Sequence, residues 1–439
     1  MLRRRTAGGD ARAHRGMVRV GYREAGCPAS ALRRWSGTPR HAPWHGPRRA
    51  PRHLPTHRAT RASGALMTLH TFHCPTRLHL GRDARHRVPD LLRGRTLIVC
   101  TPGQWARLQA DAEPWWPREA AVFAEVTPNP DLDALDVAAD ALRGQGIEGV
   151  LAIGGGSAMD AGKALAAMLG TGGSLHRWFR AGEPIPEAGW LPVVAVATTA
   201  GTGSEVTPFA TIWDTARMRK RSLSGPAAFP AEAVVDPVLM ASMPPAVTRS
   251  TGLDALNQAL ESVWSREATP WTEALAARAV ALAMEALPQV LERPHDLGAR
   301  HRMAEASVLA GVCIAQTRTA LCHAISYPLT LHFGTPHGLA CAFSMQAVWS
   351  ACAGADDGRL SRLARATGHG SVEAFGSALA ELLERCGLSE ALAESLPQDH
   401  AAVLALVGEM HAPGRSDNLM VPVTEAVLAE VVKRSLALS

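Results

Sequence analysis

The first half of the chain alternates short apolar runs with longer stretches whose apolar residues recur at helical spacing. The apolar runs predict strands at residues 68–74, 95–101, 121–126, 149–153, 191–198 and 233–235. Helices are predicted between them, with the clearest spacing at residues 131–145 and 158–169. Strands separated by helices pair in parallel and are covered on both faces. The pattern therefore predicts an α/β fold with a doubly wound sheet.

The pattern changes near residue 240, after which nearly every stretch is typical of a helix. This second part is rich in Ala, Leu, Glu and Arg, and helix breaks are expected near Pro294, Pro328, Gly354, Gly387 and Pro413. We therefore divide the ordered chain into an α/β domain at residues 67–240 and an all-helical domain at residues 241–439.

Residues 1–66 differ from the rest of the chain in charge. They contain fifteen Arg and two acidic residues, whereas the other 373 residues carry 30 basic and 38 acidic side chains. The overall net charge of +5 therefore does not indicate nucleic-acid binding by the folded part. The segment lacks hydrophobic periodicity and the apolar core of a secretory signal. We expect a disordered extension or a start codon assigned too early, and full activity and stability in a chain that begins at Met67.

The apolar and cysteine patterns bear on where the protein acts. No uninterrupted apolar run reaches the roughly 18 residues that a membrane-spanning helix needs, so we expect no membrane partner. The 8 cysteines include no CxxC pair, and we expect them to be reduced, as in the cytoplasm. The oligomeric state is left open by the sequence, with a homodimer as one candidate.

Two glycine-rich segments follow directly after predicted strands. One is Gly154-Gly155-Gly156-Ser157, and the other runs from Thr198 to Thr207 with the sequence TTAGTGSEVT. Glycines let backbone N–H groups at a helix start approach a pyrophosphate, and two such turns at strand ends form a crevice for ligands. Glycine-rich turns also close many strand–helix units that bind nothing, so either segment alone is a weak signal.

Together the two segments predict a dinucleotide site. The candidate cofactor-binding residues are Thr101, Gly154, Gly155, Gly156, Ser157, Asp160, Thr198, Thr199, Thr202, Ser204, Thr207 and Lys220.

Histidines and a carboxylate in the second half are candidates for a metal site. His323 and His337 lie in the otherwise apolar stretch LCHAISYPLTLHFGTPHG, and Asp254 and Gln258 are one turn apart on a predicted helix. Imidazole and carboxylate ligands suit Zn²⁺ or Fe²⁺ better than Mg²⁺ or Ca²⁺. A histidine near a helix end is also often a cap or a hydrogen-bonded core residue, so spacing alone leaves both interpretations open.

Five motifs in order resemble those of the iron-containing (group III) alcohol dehydrogenases. They are IGGGSAMDAGK, TTAGTGSEVT, VVDPVLMASMP, TGLDALNQALES and CHAISYPLTLHFGTPHG, within a resemblance that covers roughly residues 70–435. The resemblance implies a dehydroquinate-synthase-like fold, in which residues 67–240 bind the dinucleotide and residues 241–439 bind metal and substrate. It also implies a hydride transfer between NADH or NADPH and an aldehyde or alcohol, with a divalent metal as Lewis acid.

The family's metal ligands map onto this chain with one departure. Asp254, His323 and His337 match the family pattern, whereas Gln258 stands where the family has a histidine. A glutamine carbonyl is the weaker ligand, so the site has either four ligands or three and an open position, as in catalytic zinc sites. The family name favours Fe²⁺, and Zn²⁺ stays open as the alternative.

Two further positions depart from the family. Tyr327 replaces a histidine that many members have four residues after the first ligand; it either donates a proton to the nascent alkoxide or simply packs. Thr101 stands where members that prefer NAD often have Asp, so the repulsion of a 2′-phosphate is absent and either cofactor fits, with a lean to NADPH.

The substrate prediction depends on Arg318. It stands five residues before His323, where relatives that act on simple alcohols have small or neutral residues, and a guanidinium suits a phosphonate or carboxylate. The segment TRTALCHAISYPLT, with Gln258, resembles the phosphonoacetaldehyde reductases, a subgroup of the family. We therefore expect a small anionic aldehyde as substrate, specifically phosphonoacetaldehyde. The alternatives are a general short-chain alcohol or diol dehydrogenase, in which Arg318 forms a surface ion pair, and a non-catalytic nucleotide-binding protein.

Overall fold

Eight strands are present in the computed structural model, which describes residues 69–111 and 114–438. They are β1 (Arg77–Leu80), β2 (Thr96–Val99), β3 (Ala121–Phe123), β4 (Gly149–Gly154), β5 (Val193–Ala197), β6 (Phe209–Asp214), β7 (Arg219–Ser224) and β8 (Glu232–Val235). Six of them form one parallel sheet in the order β1-β8-β5-β4-β2-β3, and β6 and β7 form a separate antiparallel hairpin.

Short helices connect the strands, and a nearly continuous series of helices follows β8. Those in the first part are α1 (Val88–Leu91), α2 (Pro102–Ala110), α3 (Leu132–Leu142), α4 (Gly156–Thr171), α5 (Leu175–Phe179) and α6 (Pro237–Met240). Those in the second part are α7 (Pro245–Trp264), α8 (Pro270–Glu292), α9 (Leu297–Thr317), α10 (Leu321–Phe333), α11 (His337–Ala342), α12 (Met345–Ala353), α13 (Arg359–Ala366), α14 (Val372–Arg385), α15 (Leu388–Ala393), α16 (His400–Leu404) and α17 (Glu425–Leu438).

Both faces of the sheet are buried, which explains the near-continuous apolar runs of its central strands. Alternate residues of a strand point to opposite faces. Leu97 and Val99 of β2 pack into the larger core with α3 and α4, whereas Ile98 packs with Val88 and Leu108 on the other face. The fold is the α/β, dehydroquinate-synthase-like architecture that the sequence predicts: a doubly wound sheet followed by a helical part.

The strand order places a crevice beside the first glycine-rich segment. The chain runs from β2 to β3 at one edge and then returns to place β4 on the opposite side of β2. Loops that leave two neighbouring strands in opposite directions leave a gap between them. The carboxyl ends of β2 and β4, followed by Thr101 and by Gly155, flank this gap.

Two local predictions are wrong, and one element was missed. The described part of residues 68–74 is not a strand, because His73 exchanges backbone hydrogen bonds with the side chain of Gln316 instead of a neighbouring strand. The helix break near Pro328 is absent, because α10 runs through it with Ile325 and Leu329 packed in the core. The hairpin of β6 and β7 was not predicted at all.

The division near residue 240 stays a prediction. The last strand ends at Val235, but Thr71–Ser439 is one compact unit. The prediction for residues 1–66 lies outside the described residues.

Helix α8 has the length and composition that a membrane span requires, with half of its most apolar window buried in the fold. The pair α9 and α10 passes the same test only as one span bent by 105°. Helix α8 packs against α7, which carries Asp254, and against α9.

Candidate active site

A cavity of about 1080 Å³ opens between the carboxyl ends of the strands and helices α7, α9, α10 and α11. Every residue singled out from the sequence lines it, so the structure brings both predicted sites together. They are Thr101, Gly154, Gly155, Gly156, Ser157, Asp160, Thr198, Thr199, Thr202, Ser204, Thr207, Lys220, Asp254, Gln258, Arg318, His323, Tyr327 and His337. Their individual roles stay predictions.

The two glycine-rich segments contact each other too closely for other residues. A Cβ on Gly155 would lie 3.0 Å from Thr199 Oγ1, and one on Gly156 would lie 2.7 Å from Thr202 Cγ2. Gly155 is the N-cap of α4 and makes no side-chain cap, so the first N–H groups of a 16-residue helix face the cavity uncapped. This arrangement suits an anionic pyrophosphate.

Ser157 and Thr101 make local contacts at the same end of the cavity. Ser157 Oγ accepts a hydrogen bond from the backbone of Asn129 at 3.3 Å, and Thr101 Oγ1 accepts one from Gln104 N at 3.2 Å as the N-cap of α2. Arg107, one turn further along α2, also lines the cavity. The sequence reasoning missed Arg107, which stands six residues after Thr101.

Beneath the second segment, Lys163 forms a buried polar cluster that the sequence reasoning did not single out. Its Nζ lies within hydrogen-bond distance of the carbonyl oxygens of Ser204 (2.6 Å), Thr207 (2.9 Å) and Phe209 (2.8 Å). The carboxylate of Asp160 accepts from Ser204 Oγ at 2.7 Å and from Thr211 N at 2.8 Å. Asp160, Ser204 and Thr207 therefore hold the loop in shape.

The titratable groups of this cluster are strongly affected by burial. Burial lowers the pKa of Lys163 to about 8, with Asp160 and Glu205 opposing the change. Burial also raises the pKa of Glu205 to about 7, against its own backbone N–H and the charge of Lys163. The charges of Lys163 and Asp160 interact in the folded state. Both the ammonium and the carboxylate also have hydrogen-bond partners.

The predicted metal ligands converge from three helices. Asp254 comes from the middle of α7, His323 from the first turn of α10, and His337 is the first residue of α11. Helix α11 lies directly against α7, since a Cβ on Gly338 would overlap the carbonyl of Ser250. Ligand atoms of Asp254, His323, His337 and Cys341 all lie within 4.8 Å of one another.

The buried polar atoms of this cluster fit a cation. Asp254 Oδ1 and Gln258 Oε1 are buried and have no hydrogen-bond partner among the described residues. Buried polar atoms are nearly always hydrogen-bonded, so two acceptors without a donor in one place indicate a missing positive charge. Carboxylate, imidazole and thiol are ligands that Fe²⁺ and Zn²⁺ accept. The residues present therefore fit a divalent transition metal.

Glu261 orients His323 toward that place. Its Oε2 lies 2.7 Å from His323 Nδ1, and the carboxylate also accepts the backbone N–H groups of Ala320 (2.8 Å) and His323 (3.1 Å). Because a carboxylate only accepts, Nδ1 carries the hydrogen and Nε2 is free to bind a metal. Glu261 was missed in the sequence, although it stands two helical turns after Asp254 on the same face.

Cys341 is the second residue of the cluster that sequence reasoning missed. It follows His337 by one helical turn, and its Sγ lies 3.8 Å from His337 Nε2. Burial alone would raise the pKa of Cys341, but His323 and His337 lower it to about 7. Burial likewise opposes the effect of Cys341, Glu261 and Asp254, which together raise the pKa of His323 well above its usual value. A cation at these atoms competes with protons, so its binding weakens as the pH falls.

Tyr327 lies beside the metal cluster, and the side chains of Lys220 and Arg415 lie over its ring. Its ring stacks on His337 with centroids 6.2 Å apart, Lys220 Nζ lies 3.5 Å from its centroid, and Arg415 Cζ lies 5.1 Å from it. Burial alone would raise the pKa of the Tyr327 hydroxyl, but Lys220 and Arg415, with the two histidines, lower it to about 7. Lys220, predicted from the sequence to bind cofactor, thus lies at the metal end. Arg415 was not predicted.

Arg318 has a backbone conformation that other residues than glycine rarely adopt. It follows the last residue of α9 with φ 60° and ψ 176°, a region that costs about 1–3 kcal/mol for a residue with a Cβ. The conformation is held by its N–H, which donates to Ile314 O at 2.9 Å, and by its carbonyl, which accepts from Thr317 Oγ1 at 3.0 Å. Its exposed side chain lines the cavity near Gly414.

Comparison with known proteins identifies the class to which this fold and site belong. The profile of the iron-containing alcohol dehydrogenases matches residues 75–237, and that of the Fe-containing alcohol dehydrogenase family, C-terminal part, matches residues 248–430. The chain belongs to the iron-containing alcohol dehydrogenase family. The family prediction from the five motifs is therefore confirmed, and so is the prediction of an NAD(P)-dependent, metal-containing oxidoreductase that acts on alcohols or aldehydes.

Particular relatives are similar over most of their length. Phosphonoacetaldehyde reductase of Streptomyces viridochromogenes is 41% identical over 275 residues, which cover 59% of this chain and 69% of the relative. 1-Propanol dehydrogenase PduQ of Salmonella typhimurium is 34% identical, covering 84% of this chain and 95% of the relative. The crystal structure of sulfoacetaldehyde reductase from Bifidobacterium kashiwanohense in complex with NAD⁺ superposes with a TM-score of 0.75 at 32% identity, covering 84% of this chain and 98% of that one.

Proposed function

We propose that the protein reduces phosphonoacetaldehyde to 2-hydroxyethylphosphonate with NADH or NADPH, as a step in phosphonate biosynthesis. The observation that carries the proposal is the positive charge around the metal end of the cavity. Lys220, Arg318 and Arg415 line it there, whereas the only acidic lining residues among those that the structure describes are Asp160 and Asp254. Asp160 accepts hydrogen bonds from Ser204 and Thr211, and Asp254 belongs to the metal cluster, so both carboxylates are already engaged.

The cations of the cavity lie near the predicted metal ligands and near one another. Lys220 and Arg415 lie over the ring of Tyr327, which itself stacks on the metal-cluster residue His337. Gly414 joins Arg415 to the neighbourhood of Arg318. This grouping of positive charge beside the metal cluster supports a small aldehyde that carries an oxyanion. Guanidinium groups bind such oxyanions in a bidentate manner.

The names of two relatives agree with this chemistry. Phosphonoacetaldehyde and sulfoacetaldehyde are both two-carbon aldehydes with an oxyanion at the far end, and a reductase of each is similar to this chain. The reaction consumes the aldehyde, one NAD(P)H and one proton, and it releases the alcohol and NAD(P)⁺. When bound, the divalent cation supplies a Lewis acid for the carbonyl oxygen and the nicotinamide supplies the hydride.

The residues of the chain supply binding, orientation and the proton. The N–H groups at Gly155, Gly156 and Ser157 would hold the pyrophosphate, and Thr101 would contact the ribose. Asp254, His323 and His337 would hold the cation, with Gln258 beside them. Tyr327 Oη donates the proton to the developing alcohol oxygen, because its lowered pKa brings the hydroxyl close to neutral pH. Arg318 binds the oxyanion and so fixes the aldehyde carbon relative to the nicotinamide.

A general short-chain alcohol dehydrogenase is the second candidate. The similarity to 1-propanol dehydrogenase PduQ, which extends over 95% of that relative, favours it. In this alternative Arg318 has no substrate group to bind and the cavity accepts an uncharged aldehyde.

Arg318→Ala separates the two candidates when its effect is measured on two aldehydes. The kcat/KM for phosphonoacetaldehyde should fall by roughly 10- to 150-fold, because a hydrogen bond to a charged group contributes about 1.5–3 kcal/mol. The kcat/KM for propanal, which has no anion, should change by less than about threefold. Arg318→Lys should recover part of the loss, since an ammonium keeps the charge without the planar fork.

Arg107→Ala is the matched control, because it removes the same charge from the cofactor end of the same cavity. Its effect should be equal on the two aldehydes. Arg318→Gly should lose the same selectivity as Arg318→Ala while unfolding at a higher temperature, since glycine relieves a backbone strain of about 1–3 kcal/mol. Equal losses on both aldehydes in Arg318→Ala would contradict the proposal, and a wild type active on propanal but inactive on phosphonoacetaldehyde would favour the general dehydrogenase.

A further inference from the structure

We propose that Cys341, and not the weaker ligand Gln258, is the fourth protein ligand of the metal. We further propose that its thiolate shifts the preference of the site toward Zn²⁺. This inference rests on the metal cofactor of the family and is independent of which aldehyde is reduced.

Two distances between ligand atoms in the structure are close to those of a single tetrahedral centre. Zn–N and Zn–S bonds of about 2.0 and 2.3 Å at a tetrahedral angle place the two ligand atoms roughly 3.5 Å apart, and two N or O ligands about 3.3 Å apart. Cys341 Sγ lies 3.8 Å from His337 Nε2, and His323 Nε2 lies 3.5 Å from Asp254 Oδ1. The four ligand atoms, all within 4.8 Å of one another, therefore need only small rotations to share one cation.

The position of Cys341 is fixed by the same elements that fix the other ligands. It lies one turn after His337 on α11, and this helix is pressed against α7 at Gly338. Among the described residues, this is the one cluster of His, Cys, Asp and Glu close enough to hold a metal. Cys352, also fully buried, packs in the apolar core instead. A buried cysteine can therefore be accommodated in the apolar core of this protein. Burial alone does not explain why Cys341 faces two histidines.

The thiolate has a consequence for metal choice. Gln258 offers only a neutral carbonyl oxygen, whereas a thiolate is charged and soft and is typical of Zn²⁺ sites. Two imidazoles, one carboxylate and one thiolate would give the cation four protein ligands, a ligand set that Zn²⁺ accepts. The family name therefore does not decide the metal in this chain.

Cobalt substitution tests the ligand without an activity assay. Co²⁺ added to the metal-free protein should give a near-ultraviolet thiolate-to-cobalt charge-transfer band. The band should be absent in Cys341→Ala and retained in Cys352→Ala, which removes a buried thiol elsewhere, and in Gln258→Ala. A wild type without this band overturns the proposal, and this outcome needs no variant to fold. A band that survives in Cys341→Ala also overturns it.

Metal affinity gives the second measurement. In competition with a chelator, Cys341→Ala should bind Zn²⁺ at least about 10- to 100-fold more weakly, since even a partner that only orients a ligand contributes that much. Its affinity for Fe²⁺ should fall less, so the preference for Zn²⁺ over Fe²⁺ should decrease. Equal losses for both metals would overturn the proposed shift toward Zn²⁺, and a larger loss of Zn²⁺ affinity in Gln258→Ala than in Cys341→Ala would assign the fourth position to Gln258. These results are obtained without aldehyde, so they stand or fall apart from the phosphonate proposal.

Discussion

Two of the buried polar clusters in the described part of the chain differ in how their atoms are satisfied. Around Lys163, the ammonium is surrounded by carbonyl oxygens and each oxygen of Asp160 accepts a hydrogen bond. Around His323 and His337, Asp254 Oδ1 and Gln258 Oε1 have no partner among the described residues. Both clusters are buried and both contain perturbed groups, so burial and pKa do not separate them. Hydrogen-bond accounting does: these atoms of the first cluster have partners, whereas two acceptor atoms of the second lack the partner that a bound cation would supply.

Removal of one predicted metal ligand is the strongest test of this difference between the two clusters. His337→Ala should lose bound metal to below the detection limit of elemental analysis and lose reductase activity with it, and His323→Ala should behave in the same way. His332→Ala is the control from the same segment, because His332 is exposed and pairs with Glu409 at 2.9 Å. Retention of stoichiometric metal in His337→Ala would show that the second cluster does not hold the cation.

The first cluster should respond in stability instead of metal content. Lys163→Met leaves Asp160 and three carbonyl oxygens without their cation, so the free energy of unfolding should fall by about 3–5 kcal/mol. Chemical denaturation measures this, with the exposed Lys433→Met as control. The folded fraction should keep its metal. A loss of metal that exceeds the loss of folded protein would mean that the two clusters are coupled.

Glu205 makes the stability of the first cluster depend on pH. Its pKa is raised from 4.5 to about 7, so between these values the folded state binds more protons than the unfolded state, and stability falls as the pH rises through this window. The loss should reach about 3 kcal/mol near neutral pH. Glu205→Gln should remove this slope. Urea denaturation at several pH values checks it, and equal slopes in wild type and variant would contradict it.

The smallest effect is expected at Glu261, which hydrogen-bonds to the predicted metal ligand His323 but is not itself a predicted ligand. Glu261→Gln keeps the size of the side chain but weakens the hydrogen bond to His323 Nδ1, so metal affinity should fall by about 10- to 100-fold. Glu267→Gln, at an exposed position just after α7, is the control. A fully metal-free Glu261→Gln at saturating metal would mean that the carboxylate itself is a ligand.

The amino-acid sequence determined the elements whose signals are local. The apolar runs predicted the five later strands of the parallel sheet, because strands buried on both faces have few polar residues. The glycine-rich segments were visible as local runs of glycine, and in the structure a Cβ on Gly155 or Gly156 would crowd the side chain of Thr199 or Thr202. Asp254, His323 and His337 were predicted as metal ligands from motif spacing, and the structure brings their ligand atoms together. At residues 69–74 local propensity failed, because His73 bonds to the distant side chain of Gln316 and not to a strand.

The tertiary structure alone decided which distant side chains meet. Cys341 joins the metal cluster because α11 is pressed onto α7 at Gly338, a contact that no local pattern encodes. Arg318 lines the cavity because a strained backbone turn ends α9 there, although its position in a helical pattern left pocket and solvent equally open. Arg415 reaches Tyr327 from a loop almost ninety residues later in the chain. Local propensity acts over a few residues, whereas these contacts depend on how whole helices pack, and so they were decided only in the folded chain.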